Sequence, residues 1–156
     1  MAERAPGQRL VMAFDFGTRR IGVAVGQELL GSASQLDPLP ARDGVPDWQR
    51  VGRLIQEWQP DLFVVGLPLN MDDSESQMSL RARKFGKRLH GRYGRPLAMF
   101  DERGSTREAK RIAREAGHGG DYRRESVDGI AAELILAGWF EAQAGEPLPS
   151  MPRSPD

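Results

Sequence analysis

The apolar and polar positions divide the chain into short, densely apolar runs separated by amphipathic stretches. Leu10-Val11-Met12-Ala13-Phe14 is apolar on both faces of a period-two strand, the pattern of a strand buried in the middle of a sheet. Gly17 can supply the positive φ of a hairpin turn, and Thr18-Arg19-Arg20 fill out its loop. Ile21-Gly22-Val23-Ala24-Val25 then returns as a second strand. Leu29–Leu36 reads as a weaker third strand, and Asp37–Val45, with its Pro, Asp and Gly, as a loop. Pro46-Asp47-Trp48 opens a helix whose apolar stripe is Val51, Leu54, Ile55 and Trp58, and Pro60 ends it. Asp61–Gly66 is a second near-continuous apolar run, so a helix between two buried strands predicts a parallel crossover.

Leu67–Glu75 is a long polar loop, and Ser74 followed by Gln77 matches a helix capping box. The helix it predicts, about 77–91, turns Met78, Ala82, Phe85 and Leu89 inward and carries Arg81, Lys84, Arg88 and Arg92 beside them. Pro96–Phe100 is a further strand that runs into Asp101-Glu102-Arg103. Ser105-Thr106-Arg107-Glu108 is a second capping box, starting a helix to about Ala116, and Gly117–Asp121 reads as a mobile loop. A last helix, about 125–142, faces Val127, Ile130, Ala131, Leu134 and Ala137 inward. The order β-β-β-α-β-α-β-α-α predicts an α/β fold: three antiparallel strands, then parallel ones, in a mixed five-stranded sheet flanked by helices. One domain is expected over residues 10–142, with a disordered lead over 1–9 and a disordered, proline-rich tail over 143–156.

Composition narrows the chemistry. The 156 residues include no cysteine, which removes disulfides, thiolate metal sites and a Cys nucleophile. No apolar run approaches the ~20 residues of a membrane span, and the first ten residues lack a signal-peptide core, so a cytoplasmic protein with no membrane partner is expected. Net charge is zero, yet the charges are segregated. Asp37–Glu75 holds eight acids against three arginines, whereas Gln77–Arg114 holds twelve bases against three acids, which predicts one face able to meet a polyanion.

Three carboxylates fall at the ends of elements. Asp15 closes the first strand, Glu102 follows the strand at Pro96–Phe100, and Asp128 lies in the first turn of the last helix. Each has a plain structural explanation: Asp15 as a turn cap, Glu102 as a surface acid beside Arg103, Asp128 as a partner of the helix dipole. Brought together at the carboxyl edge of a sheet, where open α/β folds place their sites, they would form a hard oxygen-donor site suited to Mg²⁺ or Mn²⁺. Two such ions can activate a water and stabilise the leaving oxygen in phosphodiester cleavage. The basic stripe is a candidate phosphate-contacting face, against the alternative of a solvated helix surface. Asp15-Phe16-Gly17 alone matches a protein-kinase triplet, but no glycine-rich phosphate loop accompanies it.

The segments FDFGTRRIGVAVG, VGLPLNMDD, FDERGST and SVDGIAAELIL, in that order over about Leu10–Phe140, closely resemble the YqgF (RuvX) family. Its members are small bacterial proteins described as Holliday-junction resolvases and as nucleases maturing precursor 16S rRNA. The resemblance implies a ribonuclease H-like fold and a metal-dependent endonuclease, with catalytic and metal-binding roles for Asp15, Glu102 and Asp128. It marks the Gly66–Asn70 loop, Thr18, Asn70, Arg103, Ser105 and Thr106 as site-lining or substrate-binding candidates, beside Arg81, Lys84 and Arg88 of the stripe. Asp101 remains an alternative to Glu102, because strand alternation sends the two to opposite faces. The implied substrate is an rRNA precursor, with ribosomal particles as partners and a monomer or weak homodimer as the acting species. The alternatives are a Holliday junction resolvase acting on branched DNA, and a non-catalytic RNA-binding factor of ribosome assembly.

Overall fold

The computed structural model describes residue 5 and residues 7–68, 75–101 and 127–144, with side chains in the last segment from 130 to 143. Six strands form one sheet in the order β4-β3-β2-β1-β5-β6. They are β1 (Leu10–Asp15), β2 (Arg20–Gln27), β3 (Ser34–Arg42), β4 (Val45–Pro46), β5 (Leu62–Leu67) and β6 (Leu97–Asp101). The described helices are α1 (Trp48–Trp58), α2 (Gln77–Tyr93) and α3 (Val127–Ala144). β1 pairs antiparallel with β2, and β2 with β3, while β1–β5 and β5–β6 are parallel. The mixed sheet is the expected one, with six strands in place of five. The helix expected to start at Ser105 and the loop at Gly117–Asp121 lie outside the described residues, as do most of the lead and the tail.

The extra strand comes from the segment read as a loop. β3 begins five residues later than expected and continues through Pro38 and Pro40 to Arg42. The prolines are tolerated because the pairing with β2 slips by one residue between Ile21↔Leu39 and Val23↔Leu36, a bulge beside Pro38. Inward donation falls to Ala41, whose amide reaches Arg19 O at 2.8 Å, which leaves Pro40's missing N–H on the outer side. Asp43 and Gly44, both at positive φ (50° and 83°), then turn the chain into β4 as a two-residue hairpin.

β1 is sealed on both sides. Met12 and Phe14 pack with Val51 and Ile55 of α1 and with Ala82, Phe85 and Leu89 of α2. Val11 and Ala13 pack with Ala132, Ile135, Leu136 and Trp139 of α3. Alternating side chains thus feed two separate cores, each fully buried Phe or Val contributing about 1.5–3 kcal/mol. The α1 stripe is as expected, capped by Asp47, whose Oδ1 accepts from the Gln49 amide at 3.0 Å. α2 is capped by Ser76 and not by Ser74, which lies outside the described residues: Ser76 Oγ accepts from Ser79 N (2.9 Å) and donates to Pro68 O (2.8 Å). That second bond ties the helix start to the exit of β5. Met78, expected inward, sits in the first turn of α2 and is 36% exposed.

α3 presents a different face from the expected one. Ala132, Ile135, Leu136 and Trp139 are buried, while Ile130, Ala131, Leu134 and Ala137 are only partly so. The segment is apolar around most of its circumference, so spacing could not choose the stripe. Its far end is fixed by Arg9, which lies 5.6 Å above the Trp139 ring and bonds Glu28 through Nε (2.9 Å) and Nη2 (2.9 Å). Glu28 also accepts from the Gly7 and Arg9 amides.

Burial alone would raise the Glu28 pKa, but the bonds from Arg9 and its charge outweigh it and hold the carboxyl below its ordinary value. A pKa lower in the folded than in the unfolded chain stabilises fully above the unfolded value and is lost as pH falls through the folded one. Glu28→Gln is therefore expected to cost about 1 kcal/mol near neutrality, the scale of a partly screened charged hydrogen bond. Thermal melts of the two proteins should converge below the ordinary glutamate range; a gap that persists in acid would show that the ionised form contributes nothing.

Candidate active site

The three parallel strands end at one edge, in Asp15, Leu67 and Asp101. The register Phe14↔Val65, continued one step, sets Asp15 level with Gly66, which itself pairs with Phe100. On the other side Asp15 pairs with Gly22 of β2. Asp15 is the first residue of β1 that is not buried, so its carboxylate escapes the cost of a sealed core. Following Val11 and Ala13, it belongs to the α3 face of the sheet. Its neighbours in the same row, Gly22 and Gly66, have no side chains to crowd it, a feature invisible without the strand register.

Alternation sorts the second acid. Leu97 and Met99 border the α1/α2 core, Ala98 and Phe100 the α3 core. Asp101 therefore falls on the α1/α2 face, opposite to Asp15. Glu102 itself, with Asn70, Arg103, Ser105 and Thr106, lies outside the described residues.

The direction of α3 places the third. Trp139 lies under Arg9 at the start of β1, and Phe140 lies near Gly26 at the end of β2, so the C-terminal half of α3 covers the amino edge of β1. Asp128 to Trp139 spans about 16 Å of helix. Arg9 to Asp15 spans about 20 Å of strand. The first turn of α3 thus lies toward the Asp15 end of β1. Among the described residues no three potential ligands already gather, so a shared site depends on residues 102 and 128.

The basic stripe divides in two. The Arg92 guanidinium lies 4.2 Å from the Trp48 ring centroid, a packing role. Arg81, Lys84 and Arg88 instead line a hollow of about 210 Å³ with Phe16, Asp43, Gly44, Val45 and Phe85. Arg81 Nη2 donates to Asp43 O (2.7 Å) and Oδ1 (3.1 Å). Thr18, partly buried, contributes its carbonyl, which accepts from Gly44 N at 2.9 Å. Asp43-Gly44 went unread in the sequence although an Asp-Gly pair is a strong hairpin signal. A larger hollow of about 370 Å³ lies between β3 and α1, lined by Leu36, Asp37, Arg50, Arg53, Glu57 and Trp58 among others, away from Asp15. Glu75 is bonded to Arg83 at 3.0 and 3.1 Å, which holds its carboxyl below the ordinary value. No described helix is long and apolar enough to cross a membrane.

A family model described as "RuvX: Holliday junction resolvase" matches residues 9–142. A protein of Chromohalobacter salexigens named "Putative pre-16S rRNA nuclease" is 74% identical over 134 residues, covering 86% of this chain and 90% of its own. One of Marinobacter nauticus with the same name is 58% identical, covering 90% and 98%. Among solved structures, T. thermophilus RuvC in complex with a Holliday junction substrate superposes with a TM-score of 0.57 at 16% identity, over 88% of this chain and 96% of that one. The yeast mitochondrial Holliday junction resolvase Ydc2 gives 0.54 at 11%, over 89% and 80%. At these identities the structures establish the shared ribonuclease H-like fold.

Gly44 tests how tightly the hollow is built. At its φ of +83° an added Cβ would stand 2.7 Å from Phe16 Cζ and 3.1 Å from Arg81 Nη2. Gly44→Ala is expected to cost about 1–3 kcal/mol, read as a lower urea midpoint. Gly91→Ala, in α2 with nothing within 4 Å, should instead stabilise by about 0.5–1 kcal/mol. Equal effects at both would mean that the turn carries no strain.

Proposed function

The chain belongs to the RuvX family, and from that premise we propose that it is a divalent-metal-dependent endonuclease that processes the precursor of 16S rRNA in the cytoplasm. In this reading Asp15, Glu102 and Asp128 are the catalytic acids, and Arg81, Lys84, Arg88, Thr18, Asn70, Arg103 and Thr106 contact the substrate. What supports it is the position of Asp15, which ends the doubly buried central strand at the carboxyl edge of the sheet, on the α3 face and beside Gly22. Asp101 drops out because its parity sends it to the other face. The names of the relatives supply the substrate.

The residues fit a hard cation. Their donors are all carboxylate oxygens, no cysteine exists to favour a softer metal, and the two positions flanking Asp15 in its row are Gly22 and Gly66. Bound there, Mg²⁺ or Mn²⁺ would supply an activated water and neutralise charge on the leaving oxygen. The chain's own part is positional. The β1–β2 pair and the α3 core hold Asp15 rigid, and the neighbouring glycines leave room for a phosphate to approach.

Asp15→Asn should keep its fold and lose cleavage by more than the roughly 10–100-fold that removal of an outer-shell partner brings. The assay incubates purified protein, with and without Mn²⁺, with precursor 16S rRNA and with a synthetic four-way DNA junction. Cleavage of the RNA that requires both Mn²⁺ and Asp15 supports the reading. An unchanged rate in the mutant would remove it, and cleavage of the junction alone would transfer the activity to branched DNA.

A further inference from the structure

The hollow on the α2 side and Asp15 hang from one short segment. Phe16, which lines the hollow, is the residue after Asp15, and Thr18 O holds the amide of Gly44 at 2.9 Å. The two lie on opposite faces of the sheet but at the same edge, so a nucleic-acid strand crossing that edge would meet both.

The interior of the hollow suits a phosphate. Arg81, Lys84 and Arg88 face it against one carboxylate, Asp43, so its balance is positive. Asp43 does not neutralise the site evenly. It engages only Nη2 of Arg81 and so fixes the guanidinium in place, leaving its other donors available. Lys84 and Arg88 are exposed and have no carboxylate partner among the described residues, unlike Arg83, which Glu75 occupies, and Arg92, which lies on Trp48. Three cations at positions 81, 84 and 88 share one helical face, and the hairpin turn closes the side. A volume of about 210 Å³ admits a phosphodiester group with some of its hydration.

We infer that this hollow seats one phosphodiester phosphate of the substrate strand, next to and not at the phosphate cleaved beside Asp15, and that it does so without metal. The inference rests on the nuclease reading for the identity of the strand, and its test is independent of cleavage. Binding of a fluorescein-labelled precursor 16S rRNA fragment is measured by anisotropy in chelator over a range of salt. The variants are Lys84→Gln with Arg88→Gln, and, as a matched loss of two charges, Arg50→Gln with Arg53→Gln in the larger hollow; all four side chains are exposed.

The first pair should lower the slope of log K against log salt by about one, the share of one phosphate, and the second should leave it unchanged. Equal slopes in the two double variants, whether both lowered or both unchanged, would overturn the seat and leave the nuclease reading standing. Conversely, Asp15→Asn protein that cleaves normally would remove the nuclease reading while leaving the slope difference intact.

Discussion

The fold turns on the double burial of β1. Each residue from Val11 to Phe14 is sealed, alternately by the α1/α2 layer and by α3. Such a strand has no polar position until it leaves the sandwich. The first residue to do so is Asp15, whose height is fixed by cores on both faces rather than by its own loop. The hydrogen-bonded ladders to β2 and β5 set its lateral position to the same precision. The reciprocal pair of bonds between Leu10 and Asp61, at 2.8 and 2.9 Å, pins the opposite end of β1 to the start of β5. An acid held this way cannot relax away from a neighbouring charge. That rigidity would suit the metal-ligand role proposed for it.

The same constraint explains what was legible in the sequence. β1, β2, β5 and α1 announce themselves, because burial on two faces demands an unbroken apolar run and burial on one face demands a stripe. The second half of β3, and β4, were hidden by Pro38, Pro40 and Gly44, which read as loop residues until a bulge and a tight turn accommodate them. α3 was found as a helix but with the wrong stripe inward. Leucine, isoleucine and alanine surround it, and only the docking of Trp139 under Arg9 selects a face.

The candidate acids were legible in kind and only partly in place. Asp15 stood out because a carboxylate following five apolar residues has to be accounted for. Choosing between Asp101 and Glu102 required knowing which core borders Met99 and which borders Phe100, information that exists only after folding. The glycines beside Asp15 come from three different segments' register, so no local motif could have flagged Gly22 and Gly66 as a pair. The hollow is similar: Arg81 and Asp43 lie 38 residues apart and meet only because the β3–β4 turn leans over Phe16.

The basic stretch Gln77–Arg114 acquires a spatial meaning at this edge, where its Arg81, Lys84 and Arg88 line one hollow. Acids converging on the α3 face would repel the phosphate they act upon, and repulsion between a phosphodiester and carboxylates in a partly desolvated row is not small. A bound divalent cation removes that repulsion locally. The cations on the α2 face attract the same strand with no metal at all. In the proposed reading, the basic hollow would supply affinity and the acids turnover, and the segment from Asp15 to Thr18 would link the two, since Phe16 lines the hollow and Thr18 O holds the Gly44 amide.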